Sequence, residues 1–591
     1  MPPFRPFGRP HPALPPFTLT RCLALLLGGL SASLGHAALP DAGQLLKQQQ
    51  QQPLSAPLPR ETAPATQLPT PAPQAQQGLV ARITAITFSG ATHLAPLDTL
   101  HALVADALNQ DLDHAQLQAL ALRVTQYLRG QGFVLARAFL PRQDLTDGRL
   151  EISIQEGRLQ SSDDRIVLKT STRLDPARLK AIAQAALPRN QALRQQDLER
   201  AVLLMNDQPG ITARTTLEKG DEPGTSRLVV TATQDDPVQG LISADNFGSR
   251  STGLERVTAQ VRVLDPSGRG DRLTLSTTQS RGTQTYSGQY TTPLNADGLQ
   301  LQLAGSHLAY SVGAPLQALE LTGRAVSVST GVSYPLLRTR ERNLAVQAVY
   351  EVKMLKDDAM GVNLRERRLH NVVTSLTGSL VDGLGGGGFN DGSLSWTHGD
   401  VGLQHNPDDA VADAASARTQ GHFDKLNVQL SRFQNLGLSE DWTAFLALSG
   451  QLASRNLDSS EKFILGGPTG VRAYAVGEAA GDAGWLGTLE LRRKLTLPGV
   501  TRAQALLFVD TGAIRLHRSP WTGSLTNAEN RNDYPLAGWG LGLNLAWDKW
   551  FVQSAVALPL GHNPGRNVDG TEADGKDSQI RAWLQATRRF D

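Results

Sequence analysis

The sequence predicts a transmembrane antiparallel β-barrel of about sixteen strands, preceded by two small α+β units and by an N-terminal helix on a linker. Three observations carry this. From about residue 238 to the C-terminus, apolar and polar residues alternate in long segments. Val257, Ala259, Val261 and Val263, for example, interleave with Thr258, Gln260 and Arg262. A period of two puts successive side chains on opposite faces of a strand. Short turns alternate with long Gly/Asp/Asn-rich loops through the same region, as when one end of a barrel faces the periplasm. Finally, Trp547 and Trp550 flank the Asp548–Lys549 turn, where an interfacial aromatic girdle would lie.

The elements follow in order. The chain has 591 residues, more than one ordinary soluble domain needs. Its net charge of +2 gives no argument for nucleic acid or for a polybasic membrane surface. Residues 1–37 read as a secretory signal peptide. Arg5, Arg9 and Arg21 lead into the apolar run CLALLLGGL, and Gly35 and Ala37 fit a cut before Ala38. The run is too short to span a bilayer as a helix. The one cysteine, Cys22, stands at its start, so the mature chain has no thiol. That excludes a disulfide framework, a cysteine–zinc site and a cysteine nucleophile. No later segment offers 18 consecutive apolar residues. After export the chain is either soluble or crosses a membrane as a β-barrel.

Residues 38–79 are low in complexity. DAGQLLKQQQQQ (41–52) lies between Pro40 and Pro53 and reads as one short helix. Prolines then recur to Pro73, which keeps the chain extended. The region is either a plain spacer or a mobile helix on a tether. Residues 80–158 read β-α-α-β-β: strand ARITAITFSG, a helix over 97–108, a second helix capped by Asp113, then the pair FVLARAFL and RLEISIQEG. Residues 159–235 repeat that order, with RIVLKT, helices Pro176–Ala186 and Gln195–Asn206, then ITARTTLEKG and RLVVTATQ. Two tandem polar units without a catalytic cluster suit docking, with an edge strand free to accept a partner strand. Residues 236–591 form the barrel, from a first strand near 238–248 to a last near 578–590. Strands this long also occur in soluble sandwiches, but the missing thiols, the turn–loop alternation and the aromatic ends favour the membrane.

The sequence offers no catalytic set. None of the 12 histidines has metal-ligand spacing, and neither a G-x-S-x-G elbow nor a phosphate-binding G-x-x-x-x-G-K loop is present. GLGGGGF (383–389) reads as a tight turn, and Asp408–Asp409 as solvated acids in a polar loop. The chain is expected not to be an enzyme and to need no metal or cofactor. One stretch stands out: GGPTGVRAYAVGEAAGDAGW (466–485), glycine-rich, with one arginine and no histidine. Its glycines allow close backbone approach. Arg472 is either a solvated loop residue or the pin of the loop that spans 457–484.

With these motifs, the chain from about 41 to 590 resembles the two-partner secretion transporters (TpsB family) of Gram-negative outer membranes, relatives of the BamA-type barrel-assembly proteins. QGFVLARAFLPRQDLTDGRLEISIQEG and DLERAVLLMNDQPGITARTTLEKGDEPGTSRLVV look like the ends of its two POTRA (polypeptide-transport-associated) domains. DNFGSRSTG and PSGRGDRL look like its first barrel strands, GGPTGVRAYAVGEAAGDAGW like its VRGY/F loop motif, and FVDTG (508–512) like its F-x-D-x-G strand motif. Ala473 replaces the loop motif's first glycine, and Asp591 follows the aromatic, Phe590, on which such barrels usually end.

The resemblance implies an outer-membrane pore with its N-terminal domains in the periplasm, which captures a large secreted exoprotein (TpsA type, haemolysin or adhesin) and exports it. It implies a loop motif Val471, Arg472, Ala473 and Tyr474 folded into the lumen, with Arg472 paired to Asp510 of a strand motif that includes Phe508 and Gly512. It further implies a plug helix with Asp41, Leu45 and Leu46, and an assembly signal at Phe590. The other expected partners are outer-membrane lipid and, during biogenesis, the barrel-assembly machinery; the protein is expected to be a monomer. A BamA-like insertase and a passive porin-like channel are the rival readings.

Overall fold

The computed structural model describes residues 40–51, 80–313 and 316–590. The signal-peptide reading and most of the linker therefore lie outside the described residues. Helix α1 (Ala42–Gln51) comes first. In the next unit, strand Ala85–Gly90 runs parallel to Arg149–Gln155, whose other edge pairs with Arg137–Phe139. Helices Leu97–Val104 and His114–Gly130 bury Leu100, Val104, Leu120 and Val124 against this sheet. Asp113 and Gln116 form a reciprocal capping box at the start of the longer helix.

Two details differ from the sequence reading. The helix expected over 97–108 ends at Val104, and a tighter 3₁₀ turn follows over Ala105–Ala107. FVLARAFL joins the sheet over Arg137–Phe139, while Phe133 makes an isolated bridge to Arg194. Upstream of that pairing, Val134 packs into the core of the second unit while Ala136 stays in the core of the first. A segment shared by two cores cannot stay in one ladder. The second unit is built on Thr225–Gln234, which pairs with Ile211–Lys219 antiparallel and with Ile166–Thr170 parallel. Helices Pro176–Ala186 and Gln195–Asn206 cover it.

Sixteen antiparallel strands then close into a barrel. They are β1 (Val238–Asp245), β2 (Arg256–Leu264), β3 (Arg272–Gln279), β4 (Thr283–Pro293) and β5 (Gln300–Ser311). The longest follow: β6 (Thr322–Arg338), β7 (Arg342–Ala359), β8 (Val362–Asp382) and β9 (Gly388–Gly402). Next come β10 (Gly421–Asn435), β11 (Trp442–Ala453), β12 (Ala483–Leu495) and β13 (Arg502–Arg515). The circle ends with β14 (Asp533–Trp547), β15 (Trp550–Pro559) and β16 (Arg581–Phe590). β16 pairs back onto β1 from Gly240↔Phe590 to Asp245↔Gln585. Phe590 itself faces outward and is exposed.

The side-chain alternation sorts the wall into two faces. Lys353, Arg367, Lys425, Gln451, Glu490 and Asp510 point inward and are buried, while Val328, Leu430, Leu448, Leu489 and Val509 point outward and are exposed. That is the inverse of a soluble core and the pattern of a barrel in lipid. A crossing needs about 9–11 residues per strand. β7 and β8, with 18 and 21 residues, therefore project well beyond the apolar band at one end.

The other, near end carries the α+β units. Arg338 of β6 makes a two-pronged contact to Asp207 (2.7 and 2.9 Å), and Arg200 reaches Asp297 in the β4–β5 turn at 2.9 Å. Arg173 and Arg178 donate to the carbonyls of Leu264 and Asn295, both at 2.6 Å. At this end Trp547 and Trp550 stack with ring centroids 6.4 Å apart. The guanidinium of Arg493 lies over Trp442, and that of Arg588 over Trp550. Such amphipathic pairs suit a membrane–water boundary. GLGGGGF forms the β8–β9 turn here, with Gly385, Gly386 and Gly387 at positive φ.

Candidate functional site

The lumen is filled by two inserts, the loop between β11 and β12 (454–482) and helix α1. The loop turns back on itself through the short pair Phe463–Ile464 with Ala480–Gly481. Between them, Val471 donates its N–H to the Leu465 carbonyl at 2.8 Å. This knot sets Arg472 against the wall. Arg472 Nε and Nη2 each donate to one oxygen of Asp510 at 2.8 Å, and its backbone N–H adds a third bond at 3.1 Å. The geometry is the fork-to-carboxylate match that only arginine supplies.

The guanidinium has two more partners. Nη1 donates to Glu490 of β12 at 2.8 Å. The cation also lies 3.4 Å from the ring centre of Phe508, a stacked contact on β13. The carbonyl of Arg472 accepts from the indole N–H of Trp583 on β16 at 2.8 Å. One loop residue thus ties together β12, β13 and the closing strand β16. Asp510 is fully buried, and Thr488 donates to it as well.

Glycines on the wall make room for the loop. A side chain at Gly538 would overlap the methyl of Ala473, and one at Gly540 would run into the Phe508 ring. A side chain at Gly512 would meet Leu465. Val471, Ala473 and Tyr474 are all buried in this packing, together with Phe508, Ile514 and Leu536.

Helix α1 sits on the opposite inner wall. Asp41 caps it, accepting from the N–H of Gln44 at 2.9 Å and from Ser459 Oγ at 2.6 Å. The N–H of Ala42 donates to Asp357 of β7 at 2.7 Å. Asp357 also receives Arg367 Nη2 at 2.6 Å and the Tyr310 hydroxyl at 2.7 Å. Arg367 in turn binds Asp458 of the loop at 2.7 Å. Three carboxylates, Asp41, Asp357 and Asp458, therefore gather around one guanidinium. Leu45 and Leu46 are buried among Leu308, Leu355, Leu369, Phe423 and Leu457. A side chain at Gly43 would overlap Ser459, so this turn of the helix lies directly on the loop.

Below this cluster Glu461 of the loop accepts from Lys353 at 2.7 Å and Asn371 at 2.8 Å, and pairs with Lys425. Burial alone would raise the pKa of Glu461, but the surrounding lysines hold it well below the ordinary carboxylate range. Lys47 of α1 is pushed the other way. Burial, helped by Lys425 and Lys353 and opposed by Glu461, lowers it to about 7.

The structure thus brings Arg472, Asp510 and Phe508 into contact, and places Gly512 beside the same loop. It sets Asp41, Leu45 and Leu46 against the far inner wall and leaves Phe590 outside. Glu490, Trp583, Arg367, Glu461 and the glycines at 538 and 540 were not foreseen from the sequence. The three glycines of GWGLG (538–542) occupy alternate positions on the inward face of one strand, and that pattern could have marked a close approach. Asp408 and Asp409, read as loop acids, belong instead to a helix, Pro407–Ala414, capped by Asn406. Its Ala410 packs on the cluster around α1. Among the described residues no group of three or more His, Cys, Asp or Glu is placed to hold a metal ion.

The family of haemolysin secretion/activation proteins ShlB/FhaC/HecB matches residues 224–545, more than half of the chain. The chain belongs to this family. A ShlB-type POTRA domain matches residues 81–157. The chain is similar to the heme/hemopexin transporter protein HuxB of Haemophilus influenzae, 25% identical over 502 residues, 83% of this chain and 84% of that one. It is also similar to the outer membrane transporter CdiB of Escherichia coli, 30% identical over 267 residues, 44% of this chain and 43% of that one. Among solved structures, CdiB from Escherichia coli superposes with a TM-score of 0.70 at 22% identity, over 94% of this chain and 100% of that one, a likeness of fold. The protein is an outer-membrane transporter of the two-partner secretion type, with its barrel in the outer membrane and its POTRA region in the periplasm. The near end of the barrel is therefore periplasmic and the projecting β7–β8 hairpin extracellular.

Proposed function

We propose that this ShlB/FhaC/HecB-family transporter captures one large exoprotein, of haemolysin or adhesin type, on its periplasmic α+β units and passes it unfolded through the barrel. The observation that carries this is the pair of α+β units fastened by arginine contacts at the mouth of a closed barrel whose lumen is filled by a helix and a folded-back loop. In this reading α1 is the plug, the Pro-rich linker its tether, and Arg472–Asp510 the pin that keeps the loop in register. The transporter acts as a monomer, without enzymatic activity. Deleting it from its host is expected to remove one large exoprotein from the medium and leave the outer-membrane protein profile unchanged. Loss of many outer-membrane proteins would instead support an insertase, and an unchanged medium a passive channel.

Plug seating should depend on pH through Lys47. Its pKa falls from 10.5 free in solution to about 7 in the seated helix, so the seated state holds fewer protons. Seating is therefore penalised at low pH and strengthens as pH rises through about 7 toward 10.5. In planar bilayers the open fraction is expected to fall between about pH 6 and pH 9. Lys47→Gln should flatten that dependence; an identical slope in the variant would remove Lys47 from the account.

A further inference from the structure

The outward face of β5 to β10 changes chemistry abruptly toward the extracellular end. Reading the ladder upward, Leu303, Thr330, Tyr350 and Val372 lie side by side, and Gly305, Val328, Val352 and His370 lie in the next row. Above them stand His307, Val326, Met354 and Arg368, then Ala309, Arg324, Lys356 and Glu366. The apolar band thus ends in a cationic rim. Arg324, Lys356 and Arg368, with one carboxylate, Glu366, and with His405 from the next extracellular loop, line a concavity of about 270 Å³. Val326 and Met354, one row below Arg324 and Lys356 in the ladder, give its lower side an apolar lining.

The acidic neighbours do not use up this charge. Lys356 pairs with Asp358 at 3.1 Å, and Glu366 accepts from Asn363 at 2.9 Å. Among the described residues no carboxylate forms an ion pair with Arg324 or Arg368; the guanidinium of Arg368 reaches only the Met354 sulfur, at 3.9 Å. Further round, His398 and His422 each face an aspartate, Asp424 at 3.0 Å and Asp400 at 3.2 Å. That flank carries its own carboxylates, one for each imidazole.

We propose that this concavity is a binding site for the phosphorylated, acylated sugar headgroup of lipopolysaccharide in the outer leaflet. Two guanidinium forks suit phosphate oxygens. The apolar lining continues into the lipid-facing wall, so an occupant with acyl chains below and phosphate above meets both chemistries at their natural depth. A soluble anion would use the rim but not the apolar lining. The bound glycolipid would brace the base of the projecting β7–β8 hairpin, whose inner face carries Asp357 and Arg367 of the plug contacts.

The test uses the purified full-length transporter in detergent and four probes: lipopolysaccharide, the same lipopolysaccharide after dephosphorylation, phosphatidylglycerol, and inorganic phosphate. The readout is binding of labelled lipopolysaccharide and its displacement. Wild-type protein is expected to hold intact lipopolysaccharide at least about tenfold more tightly than Arg324→Glu/Arg368→Glu does. Dephosphorylated lipopolysaccharide should lose a similar factor. Arg324→Lys/Arg368→Lys, which keeps the charge but loses the forks, should fall between the wild type and the charge-reversed variant and serves as the folded comparison, both sites being exposed. Equal binding by the wild type and the charge-reversed variant overturns the proposal. So does displacement by phosphatidylglycerol or inorganic phosphate as effective as that by lipopolysaccharide, since the site would then be a general anion rim.

Discussion

Arg472→Asp is expected to cut the exoprotein released into the medium by at least about tenfold, and Asp510→Arg to do the same. The buried environment sets the size of the effect. Asp510 has no exposed surface, and the side chain of Arg472 is only 13% exposed. Breaking a buried pair costs about 3–5 kcal/mol, because the remaining charge is left without a partner. Reversal does more. In Arg472→Asp the new carboxylate would face both Asp510 and Glu490. In Asp510→Arg the new guanidinium would face Arg472, with Arg492 already committed to Glu490 at 2.6 Å. Against that cost stand the packing of Val471 and Tyr474 and the bond from Trp583, each worth about one to a few kcal/mol. The loop would therefore lose its register while much of the wall stays folded. Because the outcome is a defect in secretion rather than assembly, barrel insertion should be scored separately by heat-modifiable migration in gels.

The double swap, Arg472→Asp with Asp510→Arg, sharpens this test. It rebuilds an ion pair between the two positions. It also sets the loop's new carboxylate against Glu490 and removes the loop cation from the Phe508 ring. Rescue should be partial. Arg472→Lys gives the complementary case: charge kept, fork and stacking lost, and an intermediate defect. If both single reversals secrete at the wild-type level, the pin has no role in transport.

The barrel was legible for a physical reason. Its two faces meet opposite solvents, so the alternation persists along every strand, and the expected 238–248 and 578–590 became Val238–Asp245 and Arg581–Phe590. What filled the lumen was less legible. An inward carboxylate such as Glu490 looks, in sequence, like any other polar lumen position. Arg492, two residues on, is a visible partner for Glu490, but nothing in the sequence announces Arg472 for Glu490 or Asp458 for Arg367, because those partners lie on a different element. Arg472 and Asp510 were linked by resemblance alone; their spacing does not imply contact. The helix Pro407–Ala414 carried its own signals, Asn406 as a cap and Pro407 at the first turn. Two adjacent aspartates between long strands suggest solvent first, and that masks these signals. The shortened pairing of FVLARAFL was hidden because apolar alternation cannot say which of two cores each residue joins.

Removing helix α1, residues 41–51, is expected to convert the protein into a permanently conducting pore in planar bilayers, and Arg367→Glu to open it intermittently. The difference follows from what holds the helix. Leu45 and Leu46 are buried to 6% and 1% exposure, and burying two leucines is worth about 3–6 kcal/mol. Arg367 adds the polar half of the grip. Without it, Asp357 and Asp458 lose their cation and Asp41 keeps only the more exposed Arg365 at 3.6 Å, at a cost of about 3–5 kcal/mol. Each 1.4 kcal/mol is about tenfold in the seated-to-open ratio, so Arg367→Glu should raise the open fraction at least about a hundredfold. The leucines still favour return, which makes the opening transient, whereas deletion leaves nothing to return. Leu45→Ser/Leu46→Ser separates the two contributions, because it weakens the apolar grip while keeping the Asp41 cap and the Arg367 cluster. If the deletion variant conducts no more than the wild type, α1 is not what closes the pore, and the inserted loop 454–482 alone must do so. In that case Arg472→Asp, which frees the loop but not the helix, becomes the variant expected to conduct.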